Sequence, residues 1–121
     1  VLGHCEPAEG SVACVIRELR EEIGLDVRDS AVCDGLYAIE QVRPFYVWEI
    51  DSVVLGPRFA ALVREGFEPT LNNEHSAHRW VALRDAGASA FWPGQEATIA
   101  EIERTILNAQ SPARAALRVR L

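Results

Sequence analysis

Residues 17–25 read RELREEIGL, which crowds Glu18, Glu21 and Glu22 into about one turn if the segment is helical. Val12, Val15, Ile16, Leu19 and Ile23 recur at helical spacing, Ser11 can cap the start, and Gly24 stands where a left-handed residue often closes a helix. A helix over residues 11–23 follows. That helix sets the three carboxylates on one face, opposite the stripe of Leu19 and Ile23. Like charges at this spacing destabilise a helix by about 0.2–0.5 kcal/mol per pair, and acids in the last turn oppose the helix dipole. Selection for stability alone would place Lys or Arg there. Arg17 and Arg20 offset part of the repulsion, so an ordinary solvated face is one account of the pattern. Carboxylates gathered to hold a metal are the other.

The residues upstream separate the two accounts. Gly3 is followed after five residues by Glu9, and Glu9 after seven by Arg17-Glu18-Leu19. One residue later come Glu21-Glu22, and one after that Gly24-Leu25. The spacing is G-x5-E-x7-R-E-U-x-E-E-x-G-U, with U aliphatic. From average residue usage, nine such matches coincide at a given start on the order of 10⁻⁹ times, which weighs against chance. The sequence resembles the Nudix hydrolases, on the strength of residues 3–25.

That resemblance implies an α/β fold, the Nudix α/β/α sandwich with a mixed sheet between helices. It implies hydrolysis of a diphosphate linkage in a nucleotide or related compound, with Mg²⁺ or Mn²⁺. Such hard cations take oxygen ligands, and bound metal can acidify a water, neutralise phosphate charge and orient the diphosphate for attack. By resemblance Glu21 and Glu22 are metal ligands, Glu18 is a further ligand or the base, and Glu9 is an additional ligand. Arg17 braces the acids, Gly3 lets the loop pass close to the helix, and Gly24 ends the helix.

A second stretch, NNEHSAHRW at residues 72–80, looks like the loop facing the metal in Nudix enzymes of the triphosphate pyrophosphohydrolase type. Glu74 is therefore expected as a metal ligand or catalytic base, with a plain solvated loop as the alternative. His75 would orient a carboxylate or contact phosphate, while His4 and His78 are read as incidental. FWPGQEA, residues 91–97, resembles the segment before the last helix of that branch. Trp92 there can stack on a flat heterocycle or serve as a core or hinge residue. Tyr37, Phe45 and Trp48 fit a core equally well, and Tyr46 and Trp48, two apart, share a sheet face.

Along the chain, residues 31–42 and 45–55 read as neighbouring antiparallel strands, residues 57–65 as a short helix opened by Pro57, Arg79–Leu83 as a strand, and residues 95–109 as a helix. Pro112 stops that helix before a basic tail expected to be mobile. The 121 residues suit a single domain, 1–121. Nudix domains carry strands before the box, so this chain as given is expected to lack its N-terminal strand or strands, and a homodimer could fill the gap. It also reads Leu2-Gly3 where many relatives have Gly-Gly.

A net charge of −6 argues against binding a nucleic-acid backbone but not against a phosphorylated small molecule. Cys5, Cys14 and Cys33 form no CxxC pair, which favours a reducing, cytoplasmic setting and small apolar packing roles. No apolar run is long enough to span a membrane. The expected reaction is Mg²⁺-dependent cleavage of a nucleoside or pterin triphosphate to a monophosphate and pyrophosphate. The alternatives are hydrolysis of a nucleoside diphosphate linked to another group, such as ADP-ribose or a dinucleoside polyphosphate, and a non-catalytic nucleotide sensor.

Overall fold

A computed structural model describes residues 4–121; Gly3, with its expected role in the loop, lies outside the described residues. The chain is α/β, with four α-helices and two small sheets among the described residues. The helices are α1 (Ser11–Ile23), α2 (Leu83–Ala86), α3 (Pro93–Ile102) and α4 (Ala113–Leu117). The strands are β1 (Cys33–Ala38), β2 (Phe45–Val47), β3 (Ser52–Val54) and β4 (Phe59–Val63). β1 pairs with β4, and β2 with β3. No described helix is long and apolar enough to cross a membrane.

Two compact units divide the chain, one of residues 4–36, 61–80 and 120–121, the other of residues 37–60 and 81–119. The first is organised by α1. Its N-cap is Gly10, in extended conformation, and Ser11 is the first helical residue, so the capping role expected of Ser11 is not used. At the other end Gly24 turns left-handed at φ 70°. The Gly24 N–H donates to Arg20 O (3.1 Å), the bond of a left-handed glycine cap, and the Leu25 N–H reaches back to Leu19 O (3.0 Å). Leu25, Val27, Cys33 and Leu36 are buried behind Cys14 and Leu19 of the helix. After β4, the Arg64 N–H donates to Val32 O, and its side chain pairs with Asp34 (2.7 Å).

Helix α1 matches the expected span, but its buried side is not the one the apolar stripe predicts. Val12 is exposed and Ile23 only half-buried, whereas Cys14, Leu19 and Glu22 are buried. Cys14, Glu18 and Glu22 stand four apart, so they share a line along the helix. The glutamates therefore do not share one solvated face: Glu21 is 56% exposed, Glu18 13% and Glu22 3% by side chain.

The second unit holds the β2–β3 hairpin, paired Phe45 to Val54, Tyr46 to Val53 and Val47 to Ser52. A 3-10 turn (Trp48–Ile50) and left-handed Asp51 connect its strands, with the Tyr46 hydroxyl donating to Asp51 Oδ1 (2.7 Å). Tyr37, Ile39 and Ile106 form its buried apolar centre. Helix α3 opens at Trp92 with Pro93 in its first turn. Gln95 Oε1 accepts from the Trp92 N–H (3.1 Å), and the Gln95 N–H donates to Trp92 O (2.9 Å). The helix widens into a π turn, Glu103–Leu107, where the Asn108 N–H reaches Glu103 O.

Four expectations are corrected here. Residues 57–65 form strand β4 rather than a helix, because pairing with β1 outweighs the helix propensity of Ala60, Ala61 and Leu62. β1 and β2 are not paired neighbours, since β2 pairs with β3 across a tight turn. Arg79–Val81 has no strand, and Leu83 begins α2. The basic tail holds α4 and a bridge between Arg118 and Tyr37. Among the aromatics, Tyr37 is core, whereas Trp48 is 74% exposed and Phe45 is also exposed.

Candidate active site

Arg17 is the centre of the first unit's polar cluster. Its Nε donates to Glu9 Oε1 (3.1 Å) and its Nη2 to Glu9 Oε2 (3.0 Å), a two-pronged pairing that suits the planar guanidinium. Nη1 lies 2.8 Å from Glu18 Oε1 and 3.0 Å from Glu21 Oε2. Nη2 also donates to His4 O (3.1 Å) and, at longer range, to Cys14 Sγ (3.9 Å). One cation thus holds three of the four box carboxylates. A lysine, a single point charge, could not span the same set.

The loop before the helix shapes Glu9. The Glu9 N–H donates to Glu6 O (2.9 Å) and the Glu6 N–H returns to Glu9 Oε2 (3.0 Å), while Ala8 takes a left-handed φ of 67°. The Arg17 guanidinium, and after it the Glu6 amide, hold the Glu9 carboxyl below its ordinary value. Glu9, followed by Glu21 and Glu18, raises Arg17 in turn. The neighbouring Cys5 thiol, with burial next, pushes Cys14 up to about 12.

The fourth carboxylate has a different partner. Glu22 Oε2 lies 2.8 Å from His75 Nε2, and this is the most buried of the box acids. The histidine reaches it because its loop is stitched to the end of α1. The Thr70 N–H donates to Ile23 O (3.0 Å) and the Asn72 N–H to Glu22 O (3.1 Å), satisfying two carbonyls that the helix leaves open. Asn72 Oδ1 then accepts from the Glu74 N–H (3.0 Å), and the Asn72 carbonyl accepts from the His75 N–H (3.4 Å). The resulting turn directs the imidazole back to Glu22.

Of the residues anticipated from sequence, Glu9, Arg17, Glu18 and Glu21 meet in one cluster, and His75 meets Glu22. Glu74 is exposed beside His75. Trp92 belongs to the second unit, 63% exposed, with the ring of Phe91 edge-on at 4.7 Å. His78 faces Glu68 at 3.2 Å, and His4 takes part through its carbonyl. Thr70 and Asn72 were missed, although the Asn72-Asn73 pair was a turn signal. Cys14, expected as a packing residue, also lies against Arg17. On the outer side of α1 an open depression of about 310 Å³ is lined by Ala13, Ile16, Arg17, Arg20, Glu21 and Arg28. Three guanidiniums thus flank the most exposed of the box glutamates.

Comparison with known proteins gives the family. The NUDIX domain signature matches residues 1–102, and the chain belongs to the Nudix family. Among curated relatives, it is 29% identical over 100 residues to the asymmetrical bis(5'-nucleosyl)-tetraphosphatase of Sus scrofa. The proteins of the same name from Mus musculus and Rattus norvegicus are 26% and 28% identical over 105 residues. Each match covers 82% of this chain and 65% of the relative, so the chain spans just under two thirds of the length of these relatives.

Proposed function

We propose that this chain carries the catalytic centre of a divalent-cation-dependent hydrolase of dinucleoside polyphosphates, cleaving the bridge unequally. A tetraphosphate bridge cut this way leaves a nucleoside triphosphate and a nucleoside monophosphate. The observation that carries the catalytic part is the burial of Glu22 against His75 and the half-burial of Glu18 beside Arg17, because a merely solvated helix face would leave these acids in water. The curated relatives favour the dinucleoside substrate over the nucleoside or pterin triphosphate that the box first suggested. The arginine-lined depression supports a long, highly charged phosphate chain.

The donor set fits a hard cation: three carboxylates are already gathered by Arg17 and a fourth, Glu22, is held by His75, with Glu21 open to solvent. Glu18, Glu21 and Glu22 would hold Mg²⁺ or Mn²⁺, with Glu9 as an additional ligand and Glu74, on the adjoining loop, as a further ligand or base. When bound, the metal supplies charge neutralisation at phosphate and a more acidic water. Arg17 holds Glu9, Glu18 and Glu21 in place. His75 orients Glu22 as an outer partner orients a ligand. Glu18, Glu21 or Glu74 accepts the proton of the attacking water as its oxygen bonds to phosphorus, and the P–O bond to the departing phosphate breaks. The α/β/α sandwich with a mixed sheet, as a single domain, belongs to the same reading.

The test is product analysis by ion-exchange chromatography after incubation with Mg²⁺ and, separately, diadenosine tetraphosphate, ATP, dihydroneopterin triphosphate and ADP-ribose. ATP and AMP in equal amounts from the tetraphosphate are expected, abolished by EDTA and lowered about 10²–10⁴-fold in Glu21→Gln. Pyrophosphate from a triphosphate, with the tetraphosphate untouched, would restore the triphosphate substrate. Binding without turnover of any substrate would make the chain a sensor.

A further inference from the structure

Apart from the glutamates of α1, the described residues bring three other donors together: Cys5 Sγ, a Glu9 carboxylate oxygen and Cys14 Sγ lie within 4.8 Å of one another. The local fold explains why they meet. Reciprocal backbone and side-chain bonds between Glu6 and Glu9 close the turn after Cys5, and left-handed Ala8 completes it. The Cys14 N–H donates to Gly10 O (3.0 Å) in the first turn of α1, which fixes the buried thiol below that loop. Cys5, by contrast, is exposed, so the trio is open from one side.

We propose that Cys5, Cys14 and Glu9 form a site for a thiophilic divalent cation, Zn²⁺ or Cd²⁺, which adjoins the hard-cation position on Glu18, Glu21 and Glu22 and competes with it for Glu9. Two sulfurs with one carboxylate are the donors such ions prefer, whereas Mg²⁺ does not compete for sulfur. Tetrahedral zinc with bonds of about 2.3 Å sets its sulfur ligands about 3.8 Å apart, so small side-chain rotations within the observed spacing suffice. Glu9 still has acceptor capacity. Among the described residues, its Oε2 takes the Glu6 and Arg17 Nη2 donors and its Oε1 takes Arg17 Nε, while the Cys14 thiol, whose proton the ion would replace, also bonds to the carboxylate. Arg17 Nη2 is the positive group facing the site, 3.9 Å from Cys14 Sγ. Together, that charge and the ion balance two thiolates and one carboxylate. Binding releases the proton of each thiol to the buffer, and the fourth position is left to water. Occupancy pulls Glu9 toward the sulfur ligands and away from Arg17, which couples this site to the hydrolytic cluster.

Cd²⁺ titration of the reduced protein in excess Mg²⁺ tests the site by the ultraviolet thiolate-to-cadmium absorption, a readout independent of hydrolysis. One ion per chain is expected, with an intensity corresponding to two sulfur ligands. Affinity should fall by at least about tenfold in Cys5→Ser, since even loss of an outer partner costs that much. Cys33→Ser should match the parent, and Cys5 is exposed, so its replacement leaves the core intact. No absorption at one equivalent, intensity for a single sulfur, or a signal unchanged in Cys5→Ser would each overturn the proposal.

Discussion

Replacing Gly24 by alanine tests how the candidate site is anchored. Gly24 closes α1 at φ 70°, and a Cβ built there would sit 3.2 Å from Thr70 Cβ. The left-handed backbone alone costs a non-glycine residue about 1–2 kcal/mol. The new methyl also presses on Thr70, whose N–H bonds to Ile23 O and ties the His75 loop to the helix. Crowding of that kind costs about 1–3 kcal/mol, so Gly24→Ala is expected to lose about 2–5 kcal/mol in all. Two other glycines separate the contributions. Gly66 has φ 87° with nothing within 4 Å of its Cβ position, so Gly66→Ala should lose about 1–2 kcal/mol from backbone conformation alone. Gly56 has open space and no positive φ, so Gly56→Ala should be neutral or more stable by about 0.4–1 kcal/mol. Urea unfolding, fitted by linear extrapolation, measures all three. Equal losses in Gly24→Ala and Gly66→Ala would refute the crowding against Thr70, and a neutral Gly24→Ala would refute the left-handed cap as well.

Two further outcomes follow from the ion pairs. His75→Ala removes the partner of a buried carboxylate oxygen, and urea unfolding should show a loss of about 1–2 kcal/mol, moderated because the imidazole is partly open to solvent; an unchanged midpoint would mean that the contact contributes nothing. The Glu9 carboxyl is held below its ordinary value of 4.5, so the folded state binds its proton less readily than the unfolded state does. Its stabilisation is therefore fully present above pH 4.5 and fades as pH falls through the lower folded value. Stability measured against pH should drop less steeply below 4.5 in Glu9→Gln than in the parent, and parallel curves would count against the Arg17 pairing.

How much was legible in advance differs from element to element. Helix α1 could be placed to the residue because its signals are local: apolar residues at helical spacing and a glycine that takes the left-handed turn. Residues 57–65 failed for the opposite reason. Pro57 and an Ala-Leu run resemble a helix start, but the conformation of Phe59–Val63 is set by β1, whose pairing lies outside any local window. The carboxylate cluster divides in the same way. The match of residues 3–25 to the Nudix box pointed to Glu9, Arg17, Glu18, Glu21 and Glu22 together, by resemblance, because the motif lies within one loop and helix. Periodicity nevertheless put Glu18 and Glu22 on a solvated face. The tertiary structure instead buries Glu22 and leaves Glu18 only partly exposed. His75 meets Glu22 across 53 residues of chain, directed by backbone bonds from Thr70 and Asn72 to the end of α1. Cys5 reaches Cys14 through the Glu6–Glu9 turn and its left-handed alanine, a conformation that the residue types there do not favour. Spacing along the chain thus determined which groups could act together. Burial and long-range hydrogen bonding decided which of them face one another, because both depend on segments distant in sequence being folded against the helix.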